Sequence, residues 1–162
     1  MALYRIEEFF PNYQQELKGR SIKKYTVYAG TTDVKIGSIS DILVDEKGKF
    51  RYFVVETGFW IVGKQILLPV GRALVDLKNE CIYALGIKGI EQVENLPEYH
   101  DDLIVDFDYE EKVRVCYRIN TIPAVKDTYR YDSEPELFQL QGRFNGDSIK
   151  LYEERLITYK QS

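Results

Sequence analysis

The sequence predicts a mainly β fold: a small antiparallel barrel of six short strands, with short flanking helices and an irregular C-terminal extension. Runs rich in β-branched and aromatic residues alternate with turn signals over roughly 65 residues, a spacing typical of small barrels rather than of α/β sheets. The run Phe50–Thr57 is apolar on both faces, which suits a tightly curled sheet better than a flat one with one wet face. The turn Asp45–Gly48 joins this run to the preceding one.

Residues 1–16 are predicted to form an N-terminal arm. Apolar side chains recur at helical spacing from Leu3 to Phe10, and Pro11 ends the pattern. Both a short docking helix and an extended arm fit this pattern.

The barrel is predicted to occupy residues 17–105. Turn formers fill Gly30–Asp33 after the first strand, and Lys78–Asn79 is the turn of the last hairpin. After the strands, Ile90–Leu96 shows helical spacing, and Pro97 closes that turn. The predicted strands are Ser21–Ala29, Lys35–Val44, Phe50–Thr57, Lys64–Val70, Ala73–Leu77 and Glu80–Leu85.

Residues 106–150 are predicted to form a helix followed by a linker. Either Asp106 or Asp108 could cap the helix, which carries an apolar stripe through Tyr109 and Tyr117, with acidic residues before basic ones as the helix dipole favours. Alternating apolar residues in the same stretch also fit a strand. The polar, proline-containing segment Thr121–Glu136 is interpreted as a linker or long loop.

The charge is acidic overall and unevenly distributed. The net charge is −4, and the acidic excess lies in residues 81–162. An acidic total argues against general nucleic-acid affinity, which depends on neutralising phosphates. A local basic cluster could still contact phosphate, although a solvated strand edge guarded by lysines is the preferred explanation. The cluster consists of Lys18, Arg20, Lys23 and Lys24.

Cysteine usage and the N-terminus indicate a reduced, cytoplasmic protein. Cys81 and Cys116 are far apart and form no CxxC pair, and Cys81 is interpreted as a small core residue. The N-terminal residues lack the basic flank and long apolar stretch of a signal peptide. No run approaches the roughly 18 apolar residues of a membrane helix.

The residues that could support catalysis or metal binding do not assemble into a known pattern. His100, the single histidine, follows a helical turn beside two aspartates, and the sequence supplies no nucleophile for it. It is interpreted as a surface histidine. The carboxylate-rich run Asp101–Glu111 lacks the glycine of a calcium loop. The sequence therefore predicts no catalytic residue, no metal, no cofactor and no enzymatic activity.

A short apolar loop is the strongest candidate for a protein interface. Phe59, Trp60, Ile61 and Val62 lie between two glycines in the connection between the third and fourth predicted strands. Such a loop either folds back to plug one end of the barrel or meets a partner or a second copy of the chain. Tryptophan and phenylalanine are frequent anchors at such contacts.

Several segments in order resemble the PRC-barrel domain family. They are Gly37 with ISDILVDE just after it, the turn glycine Gly48, and the segments FVVETG, LLPVGRA and GIEQVENLP. The resemblance spans about Leu17–Asp102. That family includes the cytoplasmic barrel of the photosynthetic reaction-centre H subunit and the C-terminal domain of a ribosome-maturation factor.

A finer resemblance concerns the cyanobacterial stand-alone members of the family, to which ETGFWIVGKQILLPVGRA is similar. These members tend to carry a second domain of the YsnF/AvaK stress-related type. Leu151–Leu156 resembles the opening of that domain, so residues 151–162 are predicted to be the start of a truncated second domain.

The resemblance implies a non-enzymatic interaction or adaptor module in a bacterial stress or photosynthesis-linked context. Its partner would be a protein of unknown identity or a second copy of the chain in a homodimer. The alternative is an RNA or ribosome-assembly module. Tyr28, Tyr52 and Tyr83 are expected to serve core or cross-strand packing rather than to form a base-stacking platform.

Overall fold

A computed structural model describes residues 2–13, 22–58, 63–119, 125–140 and 146–161 of the chain. Within these residues the strands form one sheet. They are β1 (Leu3–Arg5), β2 (Thr26–Ala29), β3 (Lys35–Asp45), β4 (Phe50–Thr57), β5 (Gln65–Pro69), β6 (Ala73–Asp76) and β7 (Cys81–Ala84).

The described helices flank this sheet. They are α1 (Ile6–Phe9), α2 (Ile90–Glu94), α3 (Phe107–Tyr117), α4 (Pro135–Phe138) and α5 (Gly146–Gln161), with short 3-10 turns at Val70–Arg72 and Tyr131–Ser133.

The sheet is strongly curled but open. Its strand order is β5-β4-β3-β2-β7-β6, with β1 paired to β3. The edge strands β5 and β6 are consecutive in sequence, and the 3-10 turn Val70–Arg72 alone separates them. Because three residues span only a short distance, the sheet must roll until its two edges approach each other.

The predicted six-stranded antiparallel barrel is therefore not confirmed. The sheet in the described residues has seven strands, and no pairing between β5 and β6 closes it. It also contains a parallel pair, since Thr26 to Ala29 of β2 lie beside Cys81 to Ala84 of β7. The mainly β class and the approximate positions of the six predicted strands agree with the structure.

The N-terminal arm contains both of the predicted alternatives. Tyr4 of β1 pairs antiparallel with Val44 of β3, and α1 follows at once. Ile6 at the start of α1 is fully buried, so the arm is attached by its apolar side chains.

Strand β3 bends because its pairing changes along its length. Its first half pairs with β2, its last residues pair with β1, and irregularities in the β3–β4 register fall next to Asp41 and Val44. Gly37 pairs with Thr57 of β4, at a point where the backbones of the two strands approach closely. A Cβ atom there would lie 2.2 Å from the carbonyl oxygen of Glu56, so a side chain cannot fit without moving the backbone.

The helix predicted after Asp106 is confirmed, and the strand alternative is wrong. The Asp106 carboxylate accepts a hydrogen bond from the Tyr109 backbone N–H at 2.8 Å, which caps α3. Val113 and Tyr117 point into the core, whereas Val115 is exposed. The apolar residues thus follow the helical period rather than strand alternation.

Of the two alternatives for Thr121–Glu136, the linker is wrong for the described residues from 125 onward, whereas a long loop agrees with their turns and the 3-10 turn at Tyr131–Ser133. Tyr129 and Tyr131 are buried, and the segment continues into α4, where Leu137 and Phe138 are buried as well. Polar composition suggested a solvated loop because the tyrosines that anchor the segment are spaced too irregularly to signal a helix or strand.

Residues predicted to open a second domain lie in α5. Ile149, Tyr152 and Leu156 of this helix belong to the same apolar core as the sheet. The Glu153 carboxylate, also buried, accepts a hydrogen bond at 2.8 Å from the backbone N–H of Phe50 at the start of β4. No helix of the described residues is long and apolar enough to cross a membrane.

The close approach of β3 and β4 at Gly37 leads to a prediction about stability. Gly37→Ala should lower the free energy of unfolding by about 1–3 kcal/mol or more, because the new methyl group overlaps the Glu56 carbonyl. Urea denaturation followed by circular dichroism measures the effect. Gly89→Ala is the matched control, since a Cβ atom there has nothing within 4 Å. Equal midpoints for the two variants would contradict the prediction.

Candidate functional site

The predicted interface residues Phe59, Trp60, Ile61 and Val62 lie outside the described residues, but the neck of their loop is well defined. The Thr57 backbone N–H donates to the Lys64 carbonyl oxygen at 2.8 Å, and the Lys64 backbone N–H donates to the Thr57 hydroxyl at 3.0 Å. These bonds close the β4–β5 hairpin directly below the loop.

The Lys64 side chain ties the same neck to helix α2. Its ammonium group donates to the carbonyl oxygens of Glu94 and Leu96 at 3.0 and 2.9 Å. Carbonyl groups at a helix C-terminus lack intrahelical partners, so a lysine there is favourable. The base of the loop is therefore held from two sides.

His100 is a surface residue, as predicted. Its imidazole Nε2 lies 3.8 Å from a Glu98 carboxylate oxygen, and 58% of its side chain is exposed. In the ranges that the structure describes, no three His, Cys, Asp or Glu side chains lie close enough to hold a metal ion. Cys81 is buried, in agreement with its interpretation as a small core residue.

Tyr28 and Tyr83 confirm the expectation of cross-strand packing. The rings of this directly paired couple stack with centroids 5.8 Å apart and planes 28° from parallel. Because each ring covers one face of the other, the pair differs from the open platform on which bases stack. Lys23, from the basic cluster, is engaged with carboxylates of Glu7 at 2.8 Å and Asp41 at 3.7 Å.

The structure also reveals a buried polar cluster that the sequence analysis missed. Its centre is Glu110 of α3, whose carboxylate is almost completely buried. One carboxylate oxygen accepts hydrogen bonds from the Tyr52 hydroxyl of β4 at 2.8 Å and from the Tyr131 hydroxyl at 2.9 Å. Burial raises the pKa of Glu110, because the charged form loses its hydration, while the two hydroxyls favour that form.

Arg114 lies one turn further along α3 and is fully buried. Its Nε donates to Glu111 at 2.9 Å, and its NH1 lies 3.7 Å from the Glu110 carboxylate. The guanidinium carbon lies 4.1 Å from the ring centre of Tyr129 and 4.9 Å from that of Phe107. The two rings meet edge-to-face with centroids 6.0 Å apart, so the cation contacts both from one side and is held by cation–π attraction as well as by charge.

Arg118 completes the cluster at the end of the helix. Its guanidinium donates to both carboxylate oxygens of Glu134 at 2.8 Å and to both of Glu111 at 2.8 and 2.9 Å. These bonds raise the pKa of Arg118 further above its ordinary value, with Glu134 the largest cause. The Tyr129 hydroxyl also donates to Glu134 at 2.8 Å.

The cluster joins parts of the chain rather than presenting a reactive group. Its carboxylates receive hydrogen bonds from tyrosines and arginines, and it links α3 and β4 to the segment around Tyr131. The sequence did contain a signal, because Glu110 and Arg114 are four residues apart on one helix face. From the sequence alone, the charge order indicates only a match to the helix dipole. Which face of the helix is buried depends on tertiary packing.

A family model described as PRC-barrel domain matches residues 14–112 of the chain. An uncharacterized protein of Deinococcus radiodurans is 28% identical over 162 residues, which cover 98% of this chain and 54% of that relative. The chain thus spans about half the length of this curated relative. Most of the buried cluster, from Arg114 to Glu134, lies beyond the matched residues.

Removal of one of the hydroxyl groups that donate to the buried Glu110 carboxylate should destabilise the fold. Tyr131→Phe should lower the free energy of unfolding by about 1–3 kcal/mol, because Glu110 loses one of its donors inside the protein. Chemical denaturation provides the measurement. Tyr159→Phe removes the same atom from a tyrosine that is 53% exposed and should change the stability by less than about 0.5 kcal/mol.

The ion pairs of Arg118 predict an acid-sensitive stability. Hydrogen bonds from Arg118 lower the pKa of Glu111 to about 2, from an ordinary value of 4.5. Because the folded pKa lies below the unfolded one, ionised Glu111 stabilises the fold above the ordinary value, and this stabilisation disappears as the pH falls toward 2. The free energy of unfolding should fall by up to about 3 kcal/mol in that window.

Glu111→Gln should weaken this acid dependence, and Lys112→Gln on the exposed side of the same helix should preserve it. Urea denaturation at pH values between 2 and 5 distinguishes the variants. If the free energy of unfolding of Glu111→Gln fell with pH as steeply as that of the unaltered chain, Arg118 would not stabilise the ionised carboxylate.

Proposed function

The chain belongs to the PRC-barrel domain family, and on this basis we propose that it acts as a non-catalytic module that docks onto other proteins. The observation that carries the proposal is the set of hydrogen bonds that fixes Thr57 and Lys64, on either side of the apolar sequence Phe59–Val62. Binding residues are commonly placed on short loops that a rigid scaffold positions. Apolar and aromatic residues between two fixed points supply the side chains that commonly anchor a protein partner.

The chemistry of the buried cluster also supports a non-catalytic function. Glu110, the buried carboxylate with a raised pKa, is bonded to two tyrosine hydroxyls and lies 1% exposed. A catalytic acid or base must reach the proton that it transfers. Glu110 instead fixes the fold on which the loop stands.

The biological setting belongs to the same proposal. The resemblance to cyanobacterial members with a stress-related second domain favours a bacterial stress or photosynthesis-linked function and a cytoplasmic location. Cys81 and Cys116 are both free thiols, as expected in a reducing compartment. A homodimer through the loop is one form that the docking could take.

RNA binding, the alternative from the sequence, receives less support. Lys23 already pairs with two carboxylates, so phosphate would have to compete for it. In a gel-shift titration at low salt, the protein should not retard ribosomal RNA. Saturable, salt-dependent retardation would favour the alternative instead.

The loop contact is tested by Trp60→Ala. Removal of a central aromatic anchor should weaken self-association or partner binding by roughly tenfold or more, with unchanged thermal unfolding. Sedimentation velocity over a concentration series measures self-association, and a photo-reactive amino acid at position 60 identifies a contacting protein in the source cells. Ile104→Ala is the control, because Ile104 is apolar, 83% exposed and distant in sequence. Identical sedimentation and no cross-linked protein would refute the loop as the contact.

A further inference from the structure

The segment of residues 129–140 packs on the rest of the protein through side chains that lie at intervals along it. Five of its residues are buried, and the residues between them reach solvent. The buried ones are Tyr129, Tyr131, Leu137, Phe138 and Leu140. Alternation between anchors and exposed residues is the pattern of a peptide seated in a groove.

The segment also has its own local structure. Backbone hydrogen bonds from Ser133 to Arg130, from Glu134 to Tyr131 and from Leu137 to Glu134 close its turns. These bonds run between residues of the segment, so they require no hydrogen-bond partner in the groove.

The groove is formed by α3, β4 and the turn between β5 and β6. Phe138 meets the ring of Tyr52 edge-to-face at 5.3 Å, and its carbonyl oxygen accepts a hydrogen bond from Arg51 at 3.1 Å. At Gly71, a Cβ atom would lie 2.6 Å from the backbone of Glu136 and Leu137. The missing side chain at Gly71 therefore makes the room in which the segment's backbone lies.

Charge complementarity defines what the groove accepts. Arg118 clamps the Glu134 carboxylate with two hydrogen bonds at 2.8 Å. Arg51 lies 4.8 Å from the ring centre of Tyr131, and Arg114 lies 4.1 Å from that of Tyr129. The groove thus offers Arg118 to one acidic side chain, and Arg51 and Arg114 to the aromatic rings near it.

One side of the segment borders an open surface depression of about 330 Å³. Its lining includes Arg51, Tyr131, Pro135 and Phe138, together with Lys150 and Glu154 of α5. Solvent therefore reaches that side of the segment.

We propose that residues 129–140 occupy in cis a peptide-docking groove, and that the groove accepts a partner segment with an acidic residue between aromatic anchors. The tethered segment competes with that partner, so binding requires its displacement. This second docking surface goes beyond the loop contact proposed above and does not depend on it.

The test uses the full-length chain and a fluorescent synthetic peptide of residues 125–141. Phe138→Ala in the chain weakens the tethered segment but leaves the groove intact. Because the apparent dissociation constant falls when the competing state is depopulated, this variant should bind the peptide at least tenfold more tightly than the wild-type chain does. Fluorescence anisotropy measures the binding.

Two controls give the test its specificity. A peptide in which the residues equivalent to Leu137 and Phe138 are alanine should not bind. A chain that combines Phe138→Ala with Gly71→Ala should lose binding of the unchanged peptide, because the methyl group fills the space of the peptide backbone.

Glu134→Gln provides a second variant if Phe138→Ala does not fold, since it weakens the Arg118 clamp without removing an apolar anchor. Native circular dichroism with no tighter binding in either variant would overturn the proposal. Cooperative loss of the whole fold in both variants would overturn it too, because the segment would then be an indispensable part of the core. Neither variant alters Trp60, so this result and the loop experiment can fail independently.

Discussion

The charged groups of helix α3 can be buried only if distant parts of the chain supply their partners. Glu110 accepts hydrogen bonds from Tyr52 of β4 and from Tyr131, which is 21 residues away along the chain. A buried carboxylate without donors would cost several kcal/mol. Glu110 therefore links the position of α3 against the sheet to the position of the segment after it.

Close backbone approaches impose the second constraint on the fold. Gly37 lets the backbones of β3 and β4 approach closely, and Gly71 lets the backbone around Leu137 lie against the turn between β5 and β6. In both places a side chain would clash with neighbouring backbone atoms, so glycine is required. The sheet can curl until its edges approach, and residues 129–140 can cover the turn that joins those edges.

The two proposals together describe a rigid frame that carries two short recognition elements. The frame consists of the curled sheet and the helices that its buried polar cluster holds in place. One proposed recognition segment is the sequence Phe59–Val62, and hydrogen bonds fix Thr57 and Lys64 on either side of it. The other proposed site is the groove that residues 129–140 fill, where arginines and aromatic rings define the chemistry of an acceptable partner.

The sequence by itself indicated six of the seven described strands, their turns and the surface position of His100, because these follow from local periodicity and turn chemistry. It could not determine that the sheet has a parallel pair and stays open, since strand pairing depends on how distant segments meet. It also misassigned Tyr129 and Tyr131 to a linker and treated Glu110 and Arg114 as ordinary helix charges. Burial of those residues is decided only by tertiary packing, which brings Tyr52 and Tyr131 to one carboxylate and makes polar side chains stable inside the protein.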